Sequence, residues 1–300
     1  MTIVLFTSLI FFGCKKENSQ SSSLSPQQEE EVARVSVESE TETQLAFNDV
    51  FDNVMGANNQ VGVAGTGVFG RVASGSYLSV EREEGIDSTH CFSVTISPLS
   101  ATTTFPLTIV LDFGSGCLGH DGHIRYGKIS TVYTGRLLYP GNSATTTLDG
   151  YKIDSISIEG KQVITNTGSV SQKQFTVDIT GGKLTKPSGN YEQWESHRII
   201  TQVEGNSTPD LPLDDVFSIE GSAHGKVQNS SQLYAWQSEI SQALIKKYTC
   251  PWIEKGILKV WRETLTSSSP WAATLDYGDG TCDNKATLIL NGISHQITLR

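Results

Sequence analysis

The chain has 300 residues, of which 37% are hydrophobic and 18% are charged, and its formal net charge is −10. This length suffices to bury one large core or two small ones. Because the net charge is acidic and the lysines are dispersed, the chain lacks the basic patch that nucleic-acid binding needs. We therefore expect no nucleic-acid partner.

The first residues have the pattern of an export signal. The apolar run over residues 3–12 is about half the length needed to cross a membrane, but it suits the core of a signal peptide. A Phe-Phe-Gly tripeptide then precedes Cys14 and resembles the bacterial lipobox, whose cysteine is acylated. The sequence thus predicts a lipoprotein signal peptide over residues 1–13 and lipidation of Cys14. Two acyl chains on this cysteine would give a stable membrane anchor. The alternative is an uncleaved signal core with an incidental cysteine.

The residues after Cys14 change sharply in composition. Residues 14–43 are rich in Ser, Gln and Glu and contain no aromatic side chain, which predicts a disordered tether. Residues 44–56 place Leu45, Phe47 and Val50 at helical spacing and predict a short amphipathic helix.

The rest of the chain, residues 57–300, has the character of β-strands. Segments such as 107–113 and 175–180 alternate apolar and polar residues and are rich in β-branched types. The Asn-Gly pair at 291–292 predicts a tight hairpin, and residues 232–247 fit either period and are predicted as strand. We expect an all-β fold, an antiparallel sandwich or layered sheet with an internal duplication, preceded by the short helix.

Two similar phrases indicate this duplication. Residues 112–117 read Asp-Phe-Gly-Ser-Gly-Cys, and residues 276–282 read Asp-Tyr-Gly-Asp-Gly-Thr-Cys. Each phrase closes a unit that begins with another cysteine, so related Cys-containing units are predicted at about residues 87–139 and 250–300.

The repeat also suggests how the cysteines pair. Four cysteines allow three connectivities, and two equivalent units favour disulfides Cys91–Cys117 and Cys250–Cys282. The glycines of each phrase would let the chain turn at a strand end, and the leading aspartate would cap that turn.

Carboxylates and histidines near these phrases raise the question of a metal. Asp276, Asp279 and Asp283 crowd a glycine-bearing turn, as calcium ligands do, although turn capping is the favoured interpretation because the first copy lacks the extra acids. His120 and His123 offer two imidazoles, but zinc needs three or four ligands, so a solvated loop is favoured there.

All five tryptophans lie after residue 193. If exposed, they could stack on sugar rings and form a glycan-binding face; the alternative is ordinary core packing. The candidate glycan-binding residues are Trp236, Trp252, Trp261 and Trp271.

The sequence predicts no catalytic residues and no cofactor. Residues 65–70 match the Gly-x-Gly-x-x-Gly dinucleotide fingerprint, but the residues that follow do not open a helix. Neither a nucleophile elbow nor a Walker loop is present. Paired carboxylates can meet in space without a sequence signal, so an unrecognised hydrolase stays open.

Taken together, three phrases resemble a family of Bacteroidota envelope lipoproteins of unknown function. They are Asp-Phe-Gly-Ser-Gly-Cys from Asp112, Asp-Gly-His-Ile-Arg-Tyr-Gly-Lys-Ile from Asp121 and Asp-Tyr-Gly-Asp-Gly-Thr-Cys-Asp-Asn-Lys-Ala from Asp276. The Cys-Lys-Lys start at Cys14 is typical of lipoproteins of that phylum. The resemblance implies export and a β-rich body. We expect an outer-membrane lipoprotein with a binding or structural role, whose partners are the membrane, through the lipid, and a glycan or envelope protein. A glycan-binding accessory role is the alternative.

Overall fold

The computed structural model describes residues 24–56, 91–100, 103–119, 122–169, 171–207, 214–230, 232–247, 249–250 and 252–299. Within these ranges the chain forms one helix and fourteen strands, in the order α1 (Pro26–Gly56), β1 (Ser93–Ser100), β2 (Thr103–Asp112), β3 (Cys117–Leu118), β4 (Ile124–Tyr133), β5 (Ser143–Ile153), β6 (Ile156–Asn166), β7 (Gln174–Thr185), β8 (Tyr191–Glu204), β9 (Val216–Asn229), β10 (Gln232–Lys247), β11 (Lys255–Arg262), β12 (Ala273–Asp279), β13 (Lys285–Leu290) and β14 (Ile293–Thr298).

The strands form one antiparallel sheet that follows the order of the chain. β1 is the first strand and β14 the last, and the two-residue β3 pairs with β4 beside this path. The Asn-Gly turn joins β13 to β14, with Leu290 opposite Ile293 and positive φ at Asn291 and Gly292. The all-β class, the strand at 232–247 and the terminal hairpin are confirmed. The strands belong to one sheet instead of two packed sheets, and the helix covers its buried face.

The helix is longer than the sequence pattern predicts. It begins at Pro26, not at Gln44, so the predicted tether is wrong over residues 26–43. Ser25 caps it: its hydroxyl accepts from the Gln28 N–H at 3.3 Å, and the Gln28 side chain accepts from the Ser25 N–H at 2.9 Å. This reciprocal capping box, with proline at the first helical position, satisfies N–H groups that the helix cannot pair internally.

No helix in these ranges is both long enough and apolar enough to cross a membrane.

The sheet curves around α1. Asp49 of the helix contacts Arg125 of β4, while Asn48 and Asp52 line a cavity together with Tyr277 of β12. β4 and β12 lie eight strand spacings apart in the sheet order, which is about 38 Å in a flat sheet. A helix is only about 10–12 Å wide with its side chains. Strands that far apart can therefore meet across one helical turn only if the sheet curls.

Phe47 packs directly against two glycines of the sheet. Its ring lies against Gly160 and Gly182, where a Cβ would stand 3.1 Å from ring carbons, and its centroid is 5.6 Å from that of Trp194. Any side chain at either glycine would push the ring away. The neighbouring buried residues Val50 and Phe51 continue the apolar core. Each such buried side chain contributes roughly 1.5–3 kcal/mol.

The two cysteine-containing units have equivalent turns. Asp112 ends β2 and accepts a hydrogen bond from the Gly114 N–H at 2.9 Å; Asp276 accepts one from the Gly278 N–H, also at 2.9 Å. Both glycines have positive φ. The turns lie near opposite ends of the strand order, so the repeated units begin and end the sheet.

The disulfides join Cys91 to Cys117 and Cys250 to Cys282, the pairing that the repeat predicts.

Candidate functional site

Ion pairs connect the helix to the sheet. Four acids of α1 each meet a base from the sheet or its turns, in the pairs Glu29–Arg262, Glu40–Arg198, Glu42–Lys186 and Asp49–Arg125. Three of the four are buried, and the fourth, Glu42–Lys186, has side chains that are 34% and 35% exposed. Removing one member of a buried pair leaves an uncompensated charge and costs about 3–5 kcal/mol. These pairs therefore fix the position and direction of the helix.

The pairs near the two ends of the helix have several hydrogen bonds each. Arg262 donates to both carboxylate oxygens of Glu29, at 2.9 and 2.7 Å, in the bidentate geometry that favours such pairs. Asp49 accepts from Arg125 and also from the Tyr151 hydroxyl at 2.7 Å. Burial and the nearby Asp49 carboxylate hold the pKa of Tyr151 well above its usual value, so this hydroxyl stays protonated and donates.

Two carboxylates share a single lysine beside the middle of the helix. Lys186 lies 2.8 Å from Glu42 and 2.9 Å from the buried Glu192. Burial and the neighbouring Glu42 raise the pKa of Glu192 to about 7. Both carboxylates are therefore engaged by the same ammonium group.

The acids of the second repeated turn accept hydrogen bonds from residues of the same turn. Asp276, Asp279 and Asp283 each accept a hydrogen bond from a residue two positions ahead, at 2.9, 3.1 and 2.9 Å. Within the described ranges, the one group of potential metal ligands contains Cys250 and Cys282, whose sulfurs already form a disulfide. Turn capping accounts for the three carboxylates.

Burial removes two of the four predicted glycan-binding tryptophans from the surface. Trp236 is 1% exposed and Trp261 is 8% exposed. Trp236 lies opposite Arg262, which pairs with Glu29 of the helix, so Trp236 faces the helix side of the sheet. Neither tryptophan can stack on a sugar from solvent, so the predicted Trp-rich face is corrected at these two positions. Trp194 is buried as well, whereas Trp252 and Trp271 are partly exposed.

Other predicted features lie partly or wholly outside the described residues. These are the signal peptide at 1–13, Cys14, the glycine-rich segment at 65–70 and His120. His123 is described, and its Nδ1 lies 2.8 Å from a carboxylate oxygen of Asp154. This contact joins the residue before β4 to the turn between β5 and β6.

A cavity of about 50 Å³ lies between the helix and the second cysteine-containing unit. One helical face supplies its polar wall, because residues at i, i+4 and i+8 lie on the same side of a helix; these are Gln44, Asn48 and Asp52. The opposite wall comes from β10, from the loop before β11, from β12 and from the residue after β14. It consists of Lys246, Trp252, Ile253, Tyr277 and Leu299.

The loop that carries Trp252 is braced on several sides. The disulfide ties Cys250 to Cys282, and the Lys246 ammonium donates to the carbonyl of Cys250. At the end of the loop, the Glu254 N–H donates to a carbonyl of β10 at 2.9 Å. The Glu254 carbonyl accepts from an N–H just after β12 at 3.0 Å. This wall of the cavity is therefore preformed.

Three polar groups face the cavity with their hydrogen-bonding capacity unused. No described residue forms a hydrogen bond with the side-chain amides of Gln44 or Asn48, or with the hydroxyl of Tyr277. Gln44 and Tyr277 are buried. Burial and the nearby Glu40 raise the pKa of Tyr277, so the phenol stays protonated. The polar side-chain atoms of these three residues are accessible from the cavity, so they can hydrogen-bond an occupant that donates and accepts.

No protein-family model, curated protein or solved structure matches this chain.

The cavity shares two features with small-molecule binding sites. Small-molecule sites are preformed concavities with an apolar wall and a few convergent polar groups, and this cavity has both. Of the residues that carry it, the sequence pattern singles out Trp252 alone. Gln44 and Asn48 lie in the predicted helix. Polar residues at this spacing are as typical of a solvent-exposed helix face as of a cavity wall, so the sequence does not mark them as site residues.

Proposed function

We propose that this protein is a lipid-anchored protein of the bacterial cell envelope. It binds a small ligand, one chemical group of which enters the cavity lined by Gln44, Asn48 and Tyr277. The observation that carries the proposal is the convergence of these three unpaired polar groups on one preformed cavity. A purely structural protein would gain stability if apolar side chains filled this space, because burying more apolar surface stabilises a fold.

The cellular location rests on two features. Two disulfides suit an oxidising compartment such as the periplasm or the cell surface. Cys14 supplies the anchor, because it follows an apolar run of signal-peptide length. Mass spectrometry of the mature N-terminus tests the anchor. We expect a diacylated Cys14, and an unacylated chain that starts elsewhere would remove this part of the proposal.

The cavity wall supports binding in preference to catalysis. Neither a histidine nor a free thiol is among the described residues that line it. The buried acids and bases elsewhere along the helix are engaged in ion pairs with the sheet. A nucleophile with an adjacent base, the usual requirement for covalent catalysis, is not formed by this wall.

Filling the cavity tests the binding function. Leu45 lines the cavity from the helix, and Leu45→Trp is expected to occupy it. Thermal shifts would be measured with neutral and charged sugars, amino acids and dipeptides, against the wild type and this variant. The control is Leu233→Trp, which places the same side chain at an exposed position of β10 away from the cavity. We expect compounds that stabilise the wild type and Leu233→Trp but not Leu45→Trp. Equal shifts in all three proteins, or no shift in any, would remove the proposal.

A further inference from the structure

The charges around the cavity restrict what can bind there, provided that the proposed binding function holds. Asp52 and Lys246 line the same cavity, and both are buried, so the formal charges of the wall offset each other. A ligand with a net charge would lose its hydration on entering without gaining a matching counter-charge. The site therefore favours a neutral group.

The polar groups of the cavity wall suit a ligand that both donates and accepts hydrogen bonds. The amides of Gln44 and Asn48 each offer N–H donors and a carbonyl acceptor, and the protonated hydroxyl of Tyr277 offers a donor. A secondary amide satisfies such a set with one group, because its N–H and C=O stand close together and point in different directions.

The size of the cavity and its apolar wall narrow the ligand further. A volume of about 50 Å³ holds a few water-sized groups, at roughly 10–15 Å³ for each. An acetamido group is about this size, and its methyl carbon suits the apolar side chains of Ile253 and Leu299. Trp252 is partly exposed beside them, and its ring can stack on the apolar C–H face of a sugar.

We infer that the cavity recognises a 2-acetamido sugar within a glycan, with the acetamido group inside and the sugar ring against Trp252. Gln44, Asn48 and Tyr277 then hydrogen-bond the amide. An acetylated peptide would offer the same amide without the ring, so Trp252 favours the sugar.

The test compares two neutral trisaccharides that differ in the acetamido group. Triacetylchitotriose and cellotriose would be titrated into the purified full-length chain by calorimetry. We expect triacetylchitotriose to bind at least tenfold more tightly, because cellotriose leaves Gln44 and Tyr277 unpaired. Gln44→Met keeps the length of the side chain but removes its hydrogen bonds, and should weaken triacetylchitotriose binding at least tenfold. The control Gln193→Met changes an exposed glutamine of β8 and should leave binding unchanged.

The outcomes separate this inference from the proposed function. Equal affinity for the two trisaccharides would overturn the acetamido inference and leave glycan binding standing. If only an N-acetylated dipeptide binds, and Gln44→Met weakens it, the sugar inference falls while the binding function stands. If Leu45→Trp changes the affinity of none of these probes, and the broader thermal-shift panel also finds nothing, both fall.

Discussion

Glu40 is completely buried in the middle of the helix, and we expect Glu40→Gln to lower the free energy of unfolding by about 3 kcal/mol. The carboxylate accepts from Arg198 at 2.6 Å and from the Trp194 indole N–H at 2.8 Å. Glutamine keeps the size of the side chain and can still accept from the indole. The substitution therefore removes mainly the charge.

The magnitude follows from the surroundings of Arg198. Its side chain is buried, and its Nε and Nη1 have no hydrogen-bond partner among the residues that the structure describes. Glu40 is the acid that its guanidinium contacts. Without that carboxylate the guanidinium is a buried cation that lacks a counter-charge, which costs about 3–5 kcal/mol. The neutral amide can still accept one hydrogen bond, so the lower end of this range is expected.

Urea unfolding followed by tryptophan fluorescence measures this effect, and the helix itself provides a matched control. Glu38 pairs with Arg34 at 3.0 Å on the exposed side of the helix, so Glu38→Gln should change the unfolding free energy by less than about 0.5 kcal/mol. Adding Arg198→Met to Glu40→Gln should restore part of the loss, because it removes the orphaned charge. A loss below about 1 kcal/mol for Glu40→Gln, or strict additivity in the double variant, would refute the reasoning.

Three further changes are expected to have measurable effects. Glu192 has a folded-state pKa of about 7, above its unfolded value of 4.5, so its ionisation destabilises the fold as pH rises through this window. Glu192→Gln should reduce the loss of unfolding free energy between pH 5 and pH 8 by about 2–3 kcal/mol; an unchanged pH profile in urea unfolding contradicts this. Replacing both Cys250 and Cys282 with serine should cost roughly 3–4 kcal/mol in the same assay, because their disulfide closes a loop over a separation of 32 residues. Wild-type stability in that variant would show that the bond is dispensable. Gly182→Ala would place a Cβ 2.6 Å from a backbone oxygen and 3.1 Å from the Phe47 ring, so a loss of about 1–3 kcal/mol is expected from thermal unfolding; an unchanged melting temperature argues against this close approach.

The missed first half of the helix shows where sequence patterns mislead. Its start carries a local signal, because Ser25, Pro26 and Gln28 form a capping box with proline at the first helical position. The residues that follow are polar, as a solvated tether would be. In the folded protein the acids Glu29 and Glu40 are buried. Their polarity serves contact with bases in the sheet.

Patterns among neighbouring residues predict most of the local structure of this protein. Alternation of apolar and polar residues predicted the strands, the Asn-Gly pair predicted the last hairpin, and the repeated phrases led to the disulfides Cys91–Cys117 and Cys250–Cys282. These features depend on neighbours along the chain or on copies of one phrase, so they are visible in a linear pattern.

The curvature of the sheet, the pairing of the buried charges and the formation of the cavity arise only from packing between distant parts of the chain. Glu40 meets Trp194 across a separation of 154 residues, and no local pattern connects the two. The same holds for Gln44 and Tyr277, which become walls of one cavity only because the sheet curls around the helix. Long-range contacts depend on how the whole chain packs. The candidate site can therefore be recognised only in the folded structure.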